Sequence, residues 1–180
     1  DRIHFRLPII ALGGVMLYDL YRKRIVQCCE MSTPTVSAIL DVFRALGRAP
    51  QLYRRRGNEV HIYYTSLNTL EATFVKRVDA QGRGYERFYH KVGQLRNSPA
   101  IFFSCQGTEA QQKLLAEHLS AIPGIRAVLY KDTYNEDNWF VEICREDADK
   151  GRALERLRER IRADRVVVFG DNTNDLPMFR

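Results

Sequence analysis

Long apolar runs are missing from this 180-residue chain. None approaches the roughly 20 residues a helix needs to cross a bilayer, so no membrane-spanning helix is expected. Cysteine is sparse too. Cys28, Cys29, Cys105 and Cys144 follow neither a metal-ligand spacing nor the framework of a disulfide-stapled domain. They read as reduced thiols used for packing, and on a strand the neighbours Cys28 and Cys29 should face opposite sides. His4, His61, His90 and His118 have no ligand spacing or cysteine partners, which excludes a zinc site. There is no Gly-x-Ser-x-Gly nucleophile elbow, and Gly82-Arg-Gly84 has neither the third glycine nor the strand of a dinucleotide site. Asp1-Arg-Ile-His-Phe-Arg6 carries no apolar core or cleavage site of a signal peptide, so a cytoplasmic location is expected. The single tryptophan, Trp139, reads as a packing residue.

What remains is the composition of an ordinary soluble domain, or of two small ones, without repeats or low-complexity segments. A net charge of +6 suits nucleic acid, an anionic surface or phosphorylated small molecules, and does not choose among them.

Periodicity divides the chain into elements. Leu7–Leu12, Val15–Tyr18 and Ile25–Cys29 read as short strands, the first two joined by Gly13-Gly14. Ser32 or Thr33 can cap a helix with Pro34 in its first turn and Val36, Ile39, Leu40, Phe43 and Leu46 on one stripe, ending at Gly47. Residues 51–56 and 59–65 flank Gly57-Asn58 as a hairpin. A helix over 67–78 is expected next, and 79–97 has no clear periodicity. Beyond it come a strand over 100–105, a helix over 108–122, and strands over 125–130 and 139–144. Asp147 or Asp149 can cap a helix from Lys150 to Arg162. That helix leads into Val166–Phe169, a β-branched run that reads as a buried parallel strand. The expected organisation is α/β, with an α+β unit over 20–145 inserted between α/β segments at 1–19 and 146–180.

The chemistry sits at the end. After Val166–Phe169 the chain breaks at Gly170 into a loop bearing Asp171, Asn174 and Asp175, and Leu176-Pro177-Met178 reads as a first helical turn. Ligands of open α/β sheets bind beyond the carboxyl ends of the strands. Two carboxylates there form a hard oxygen site suited to Mg²⁺, and an amide can donate to a phosphate oxygen. A helix followed by a strand brings the helix's beginning near the strand's end, so Lys150 should reach this loop. An ammonium, two carboxylates and an amide in one volume can hold a phosphate and a divalent ion.

Gly170-Asp-Asn-Thr-Asn-Asp175, followed by Leu176-Pro-Met178 and preceded one helix upstream by Lys150, resembles the closing motifs of the haloacid dehalogenase (HAD) superfamily. It is most similar to the Cof-like sugar-phosphate phosphatases. Leu7-Pro-Ile-Ile-Ala-Leu-Gly-Gly-Val-Met-Leu-Tyr-Asp19 matches the segment leading into that branch's cap, and Trp139-Phe-Val-Glu-Ile143 resembles the cap's exit strand. The resemblance implies a partial Rossmann-like core carrying a large inserted cap. It implies a Mg²⁺-dependent phosphatase acting on small phosphorylated metabolites through an aspartyl-phosphate. Lys150 would bind the phosphoryl group, Asp171 would ligate Mg²⁺, Asn174 would contact the transferring phosphate, and Asp175 would ligate or support the metal. Gly13-Gly14 stands where the branch usually has Asn-Gly. The family's nucleophile, an Asp-x-Asp on a first strand, and its Thr or Ser motif would precede the segment with which this chain opens. The chain is therefore expected to be a fragment without catalytic residues of its own, and inactive alone.

A different class of function is a basic nucleic-acid-binding module, with Arg54-Arg55-Arg56 beside Tyr53, Tyr63 and Tyr64. Alternatively, the same arginines would grip an anionic substrate from the cap. The sequence does not show which cap residues face the site, and it is silent on the oligomeric state.

Overall fold

Strand-forming runs at either end of Gly13-Gly14 can pair only if the chain reverses there, and two positive-φ glycines allow it. In the computed structural model, which describes residues 7–80, 87–171 and 173–180, Gly13 and Gly14 have φ of 64° and 103°. The side chains of Thr173 and Asn174 also lie outside the described residues. β1 (Ile9–Ala11), β2 (Met16–Asp19) and β3 (Arg24–Cys28) form a three-stranded antiparallel sheet. The β2–β3 turn is closed by Asp19, whose carboxylate accepts from the Arg22 amide at 2.9 Å and its guanidinium at 3.1 Å. This hairpin spans position 19/20.

A second, six-stranded sheet has the order β6-β5-β4-β7-β9-β8. Its strands are β4 (Gln51–Arg56), β5 (Glu59–Tyr64), β6 (Arg87–Tyr89), β7 (Phe102–Gly107), β8 (Ile125–Lys131) and β9 (Trp139–Arg145). The β4–β5 hairpin turns at Gly57, and every pairing is antiparallel except β5 with β6. The stretch without clear periodicity supplies β6 and a 3-10 helix, Val92–Asn97.

The helices begin where the side-chain chemistry allows. In α1 (Thr33–Ala45) the Ser32 hydroxyl accepts from the Thr35 amide, and Pro34 lies in the first turn. In α2 (Thr69–Ala80) Asn68 and Glu71 exchange side-chain-to-backbone bonds at 2.9 and 3.0 Å, and in α3 (Glu109–Leu119) Thr108 and Gln111 do the same. In α4 (Lys150–Ile161) the cap is Asp149, accepting from the Arg152 amide at 2.7 Å.

Strand alternation divides the large sheet into two buried faces. Leu52, Phe103, Cys105, Val141 and Ile143 meet α1 through Ile39 and Phe43 and α3 through Leu115 and Leu119. Tyr53, Phe102 and Cys144 point the other way and pack with Val15, Cys29 and Ala148. This second face therefore turns toward the β1–β3 sheet and the start of α4. The expected opposition of Cys28 and Cys29 is not found: β3 ends at Cys28, and buried Cys29 and half-buried Cys28 pack on the same cluster, burial pushing the Cys28 thiol up to about 12.

One expected element is corrected. Val166–Phe169 forms no ladder, and Val167 and Phe169 are 78% and 86% exposed rather than buried. β-branched content favours an extended chain but cannot supply hydrogen-bond partners. Among the described residues no strand lies beside this run.

Phe103 fills the centre of the first face with no exposed surface. Phe103→Ala is expected to lower stability by about 3–5 kcal/mol, measured by urea denaturation with an unchanged m-value.

Candidate functional site

Two short approaches of backbone to backbone hold the beginning of α4, and a third seats the Asp175 side chain against Gly170. A Cβ on Gly14 would lie 2.2 Å from the carbonyl of Asp149 and 2.7 Å from the amide of Lys150. On Gly151 it would meet the carbonyl oxygen of Pro177 at 2.1 Å. On Gly170 it would lie 2.4 Å from Cβ of Asp175. Only glycine fits at such distances, so the β1–β2 turn and the 3-10 helix Thr173–Phe179 both close directly onto the helix start.

That packing decides where the polar groups go. The Lys150 ammonium lies 2.5 Å from Oδ1 of Asp175. Oδ2 of Asp175 accepts from the backbone amide of Asp171 at 3.3 Å. Asp175 is almost fully buried, whereas Asp171 is exposed at the lip of the loop. A buried carboxylate is tolerated when paired and hydrogen-bonded, and both conditions are met here. The Lys150 ammonium thus meets the loop at the Asp175 carboxylate, and Asp171 joins through its backbone amide. The side chain of Asn174 lies outside the described residues.

Next to this group, Arg145 forks onto Asp147 at 2.5 and 2.7 Å, and Arg156 approaches at 3.6 Å. The Arg145 hydrogen bonds hold the Asp147 carboxyl below the usual carboxylate range. On the sheet face turned toward α4, the Tyr130 hydroxyl donates to Glu142 at 2.7 Å. Burial outweighs the Tyr130 hydrogen bond and the charges of Arg126 and Lys150, so the Glu142 carboxyl is held above the usual carboxylate range. Sequence reading passed over Glu142. The signal was present: in β9 it shares its alternation with Phe140 and Cys144, an acid on an apolar face.

The arginine triplet is split by the same alternation. Arg54 is buried and donates to the carbonyls of Leu95 and Ser98, Arg55 donates to the Gly57 carbonyl, and Arg56 reaches the Tyr63 hydroxyl at 3.5 Å. They form no common surface on which a polyanion or an anionic substrate could lie.

A family model described as haloacid dehalogenase-like hydrolase matches residues 1–180. The chain belongs to the haloacid dehalogenase-like hydrolases. Solved structures share the fold. TM0651 from Thermotoga maritima superposes with a TM-score of 0.69 at 22% identity, over 96% of this chain and 61% of that one. A haloacid dehalogenase-like hydrolase from B. subtilis gives 0.73 at 14% identity, over 97% and 66%. The protein described as the subclass IIB sugar phosphatase BT4131 gives 0.63 at 15% identity, over 96% and 60%. The chain thus spans about three-fifths of the length of TM0651 and BT4131. No curated protein matches it. Membership of the HAD superfamily and the α/β fold expected from the closing motif are both borne out.

Within this family member, the donors suit a hard cation. Among the described residues no three His, Cys, Asp or Glu side chains converge as a closed cage. Mg²⁺ needs no such cage, since it keeps several waters and takes one or two carboxylates. Exposed Asp171 beside buried, oriented Asp175 fits that demand.

Two outcomes follow from the geometry. Gly151→Ala should separate α4 from Pro177 and destabilise the fold by about 1–3 kcal/mol in denaturant titration. Arg145→Met should return the Asp147 pKa toward about 3.9, followed by carboxyl NMR. With Arg145 present, the folded pKa is the lower one. Asp147 therefore contributes stability above about pH 3.9, and the contribution is lost as pH falls through the folded pKa.

Proposed function

We propose that this chain carries the cap and part of the core of a Mg²⁺-dependent phosphatase acting on small phosphorylated metabolites in the cytoplasm. Residues 20–145 would be the inserted cap, with 1–19 and 146–180 belonging to the core. The observation that carries this reading is the meeting of the Lys150 ammonium with the acidic loop at Asp171 and Asp175, where the helix start is pinned by glycine contacts.

Lys150 neutralises the phosphoryl oxygens and orients them, being held by Asp175 in one rotamer while it waits. Asp171, open at the loop, holds the magnesium ion, and Asp175 supports that shell through its bond to the Asp171 amide. Asn174 donates to the transferring phosphate. Bound Mg²⁺ supplies charge neutralisation on the phosphoryl oxygens as negative charge builds. That a fold relative, BT4131, is described as a sugar phosphatase supports the substrate class.

The step still needs a nucleophile, and the residues of this chain do not offer one. Its one Asp-x-Asp spacing, Asp147-Ala-Asp149, is committed elsewhere: Asp147 to Arg145, and Asp149 to the cap of α4. An aspartate that forms an aspartyl-phosphate splits the transfer into two easier steps. Without it, Lys150 and Asp171 hold a phosphate and do not cleave it.

The 180-residue chain with Mg²⁺ is accordingly expected to show no turnover of p-nitrophenyl phosphate. Turnover that disappears in Asp171→Ala would refute the assignment of the nucleophile to another segment. Independently of activity, Mn²⁺ as a paramagnetic reporter should broaden amides of the 170–175 loop, and Asp171→Ala should weaken that binding by about tenfold or more.

A further inference from the structure

Gly107 ends β7 opposite Trp139, the first residue of β9, whereas Lys150 lies beyond the other end of β9 at Arg145. At about 3.3 Å per residue, β9 separates these two ends of the sheet by about 20 Å. At the Gly107 end, the chain leaving α1, the starts of α2 and α3 and the end of β7 enclose a polar cavity of about 370 Å³. A second cavity of about 350 Å³ shares Arg48 and Ala49 with it and is lined by Leu40, Phe43, Pro50 and Val92. Each lies within the range of about 300–1,000 Å³ typical of small-molecule sites, and the apolar one adjoins a polar one as such sites require.

Arg48 stands between the two cavities. Its Nη1 donates to Oε1 of Gln112 at 3.0 Å and to the Gln111 carbonyl at 3.4 Å, and its Nη2 donates to the Gln106 carbonyl at 2.8 Å. These bonds hold the guanidinium against Gly107, where a Cβ would lie 2.9 Å from Nη2. All three acceptors are uncharged. The other arginines of the apolar cavity, Arg44 and Arg96, both pair with Asp41. Among the described residues no carboxylate comes within ion-pair distance of Arg48. Glu71, in the wall of the polar cavity, is spent on backbone amides, Oε2 on Asn68 at 3.0 Å and Oε1 on Gln106 at 3.2 Å. A guanidinium has about five N–H donors, so Arg48 keeps donors to offer. A cation fixed in place without a counter-ion is already organised for an anion, and the first turn of α2, at Thr69 and Leu70 in the same cavity, favours the same sign of charge.

We propose that the cleft around Arg48 is a second ligand site, remote from Lys150, for a small organic acid with an apolar body. Its carboxylate would lie on Arg48 in the polar cavity, and its hydrocarbon or aromatic part against Leu40, Phe43, Pro50 and Val92. A planar carboxylate matches the guanidinium fork, and the apolar wall selects an acid that buries carbon over a fully hydrated one. The site stands independently of the reading of Lys150 as the phosphate-binding residue.

The test is an NMR titration of the isotope-labelled 180-residue chain with phenylacetate, following the amides of Thr69, Leu70, Val92, Gly93 and Gly107. A saturable shift is expected with a Kd of about 1 mM, an ordinary affinity for a ligand of about ten non-hydrogen atoms. Acetate, which lacks the body, and 2-phenylethanol, which lacks the charge, should each bind about tenfold more weakly or worse. Arg48→Met, checked for a native unfolding transition, should weaken phenylacetate by about tenfold or more. Because Arg48 also ties β7 to α3, Gly93→Trp is the second variant. Open space surrounds a Cβ at Gly93, so the ring covers the apolar cavity without disturbing the fold, and binding should again fall about tenfold. Absence of saturable shifts at these amides, shifts confined to the 170–175 loop, or an affinity unmoved in both variants overturns the site. Inorganic phosphate saturating the same amides as tightly as phenylacetate overturns the choice of an acid with an apolar body.

Discussion

The bond between the Lys150 ammonium and the buried Asp175 carboxylate is the contact around which the rest of this structure is arranged. A carboxylate this enclosed needs a cation and hydrogen bonds to remain charged. Lys150 supplies the cation, and the Asp171 amide supplies a bond from the chain itself. The pair is held because Gly14 and Gly151 let two backbone segments approach the start of α4 closely, and because Gly170 leaves room for the Asp175 side chain. Any side chain at these glycines would move the ammonium relative to the loop.

The large sheet does two jobs with its two faces. One is an ordinary hydrophobic core against α1 and α3, where Phe43, Phe103, Leu115 and Ile143 exclude water. The other mixes apolar residues with a row of amide, hydroxyl and carboxylate, and turns that row toward α4. Buried polar atoms without partners weaken a fold relative to an apolar core. Gln51 and Gln106 each leave a side-chain nitrogen without a partner on this face.

Much of the architecture was legible because it follows from local rules. Ser32 ahead of Pro34 and Asp149 ahead of Lys150 cap their helices within a few residues, and Gly57 lets the hairpin turn. The motif Gly170–Asp175 with Lys150 was legible for another reason: its spacing encodes a strand-loop-helix geometry. Periodicity missed β6, because three residues on a parallel edge carry too little pattern to separate from loop. It also read Val166–Phe169 as a buried strand, where the described structure shows a largely exposed segment with no strand assigned.

Residue order was therefore sufficient for the family, the element types and the identity of the charged groups near the end of the chain, since all three depend on neighbours a few positions apart. Folding in three dimensions settled which carboxylate meets the lysine, which arginine of 54–56 is buried, and that Glu142 shares a face with Gln51 and Ser104. Those outcomes depend on cross-strand register and on contacts between segments tens of residues apart. No local pattern carries that information, because the energy that selects it arises only when distant segments exclude water together.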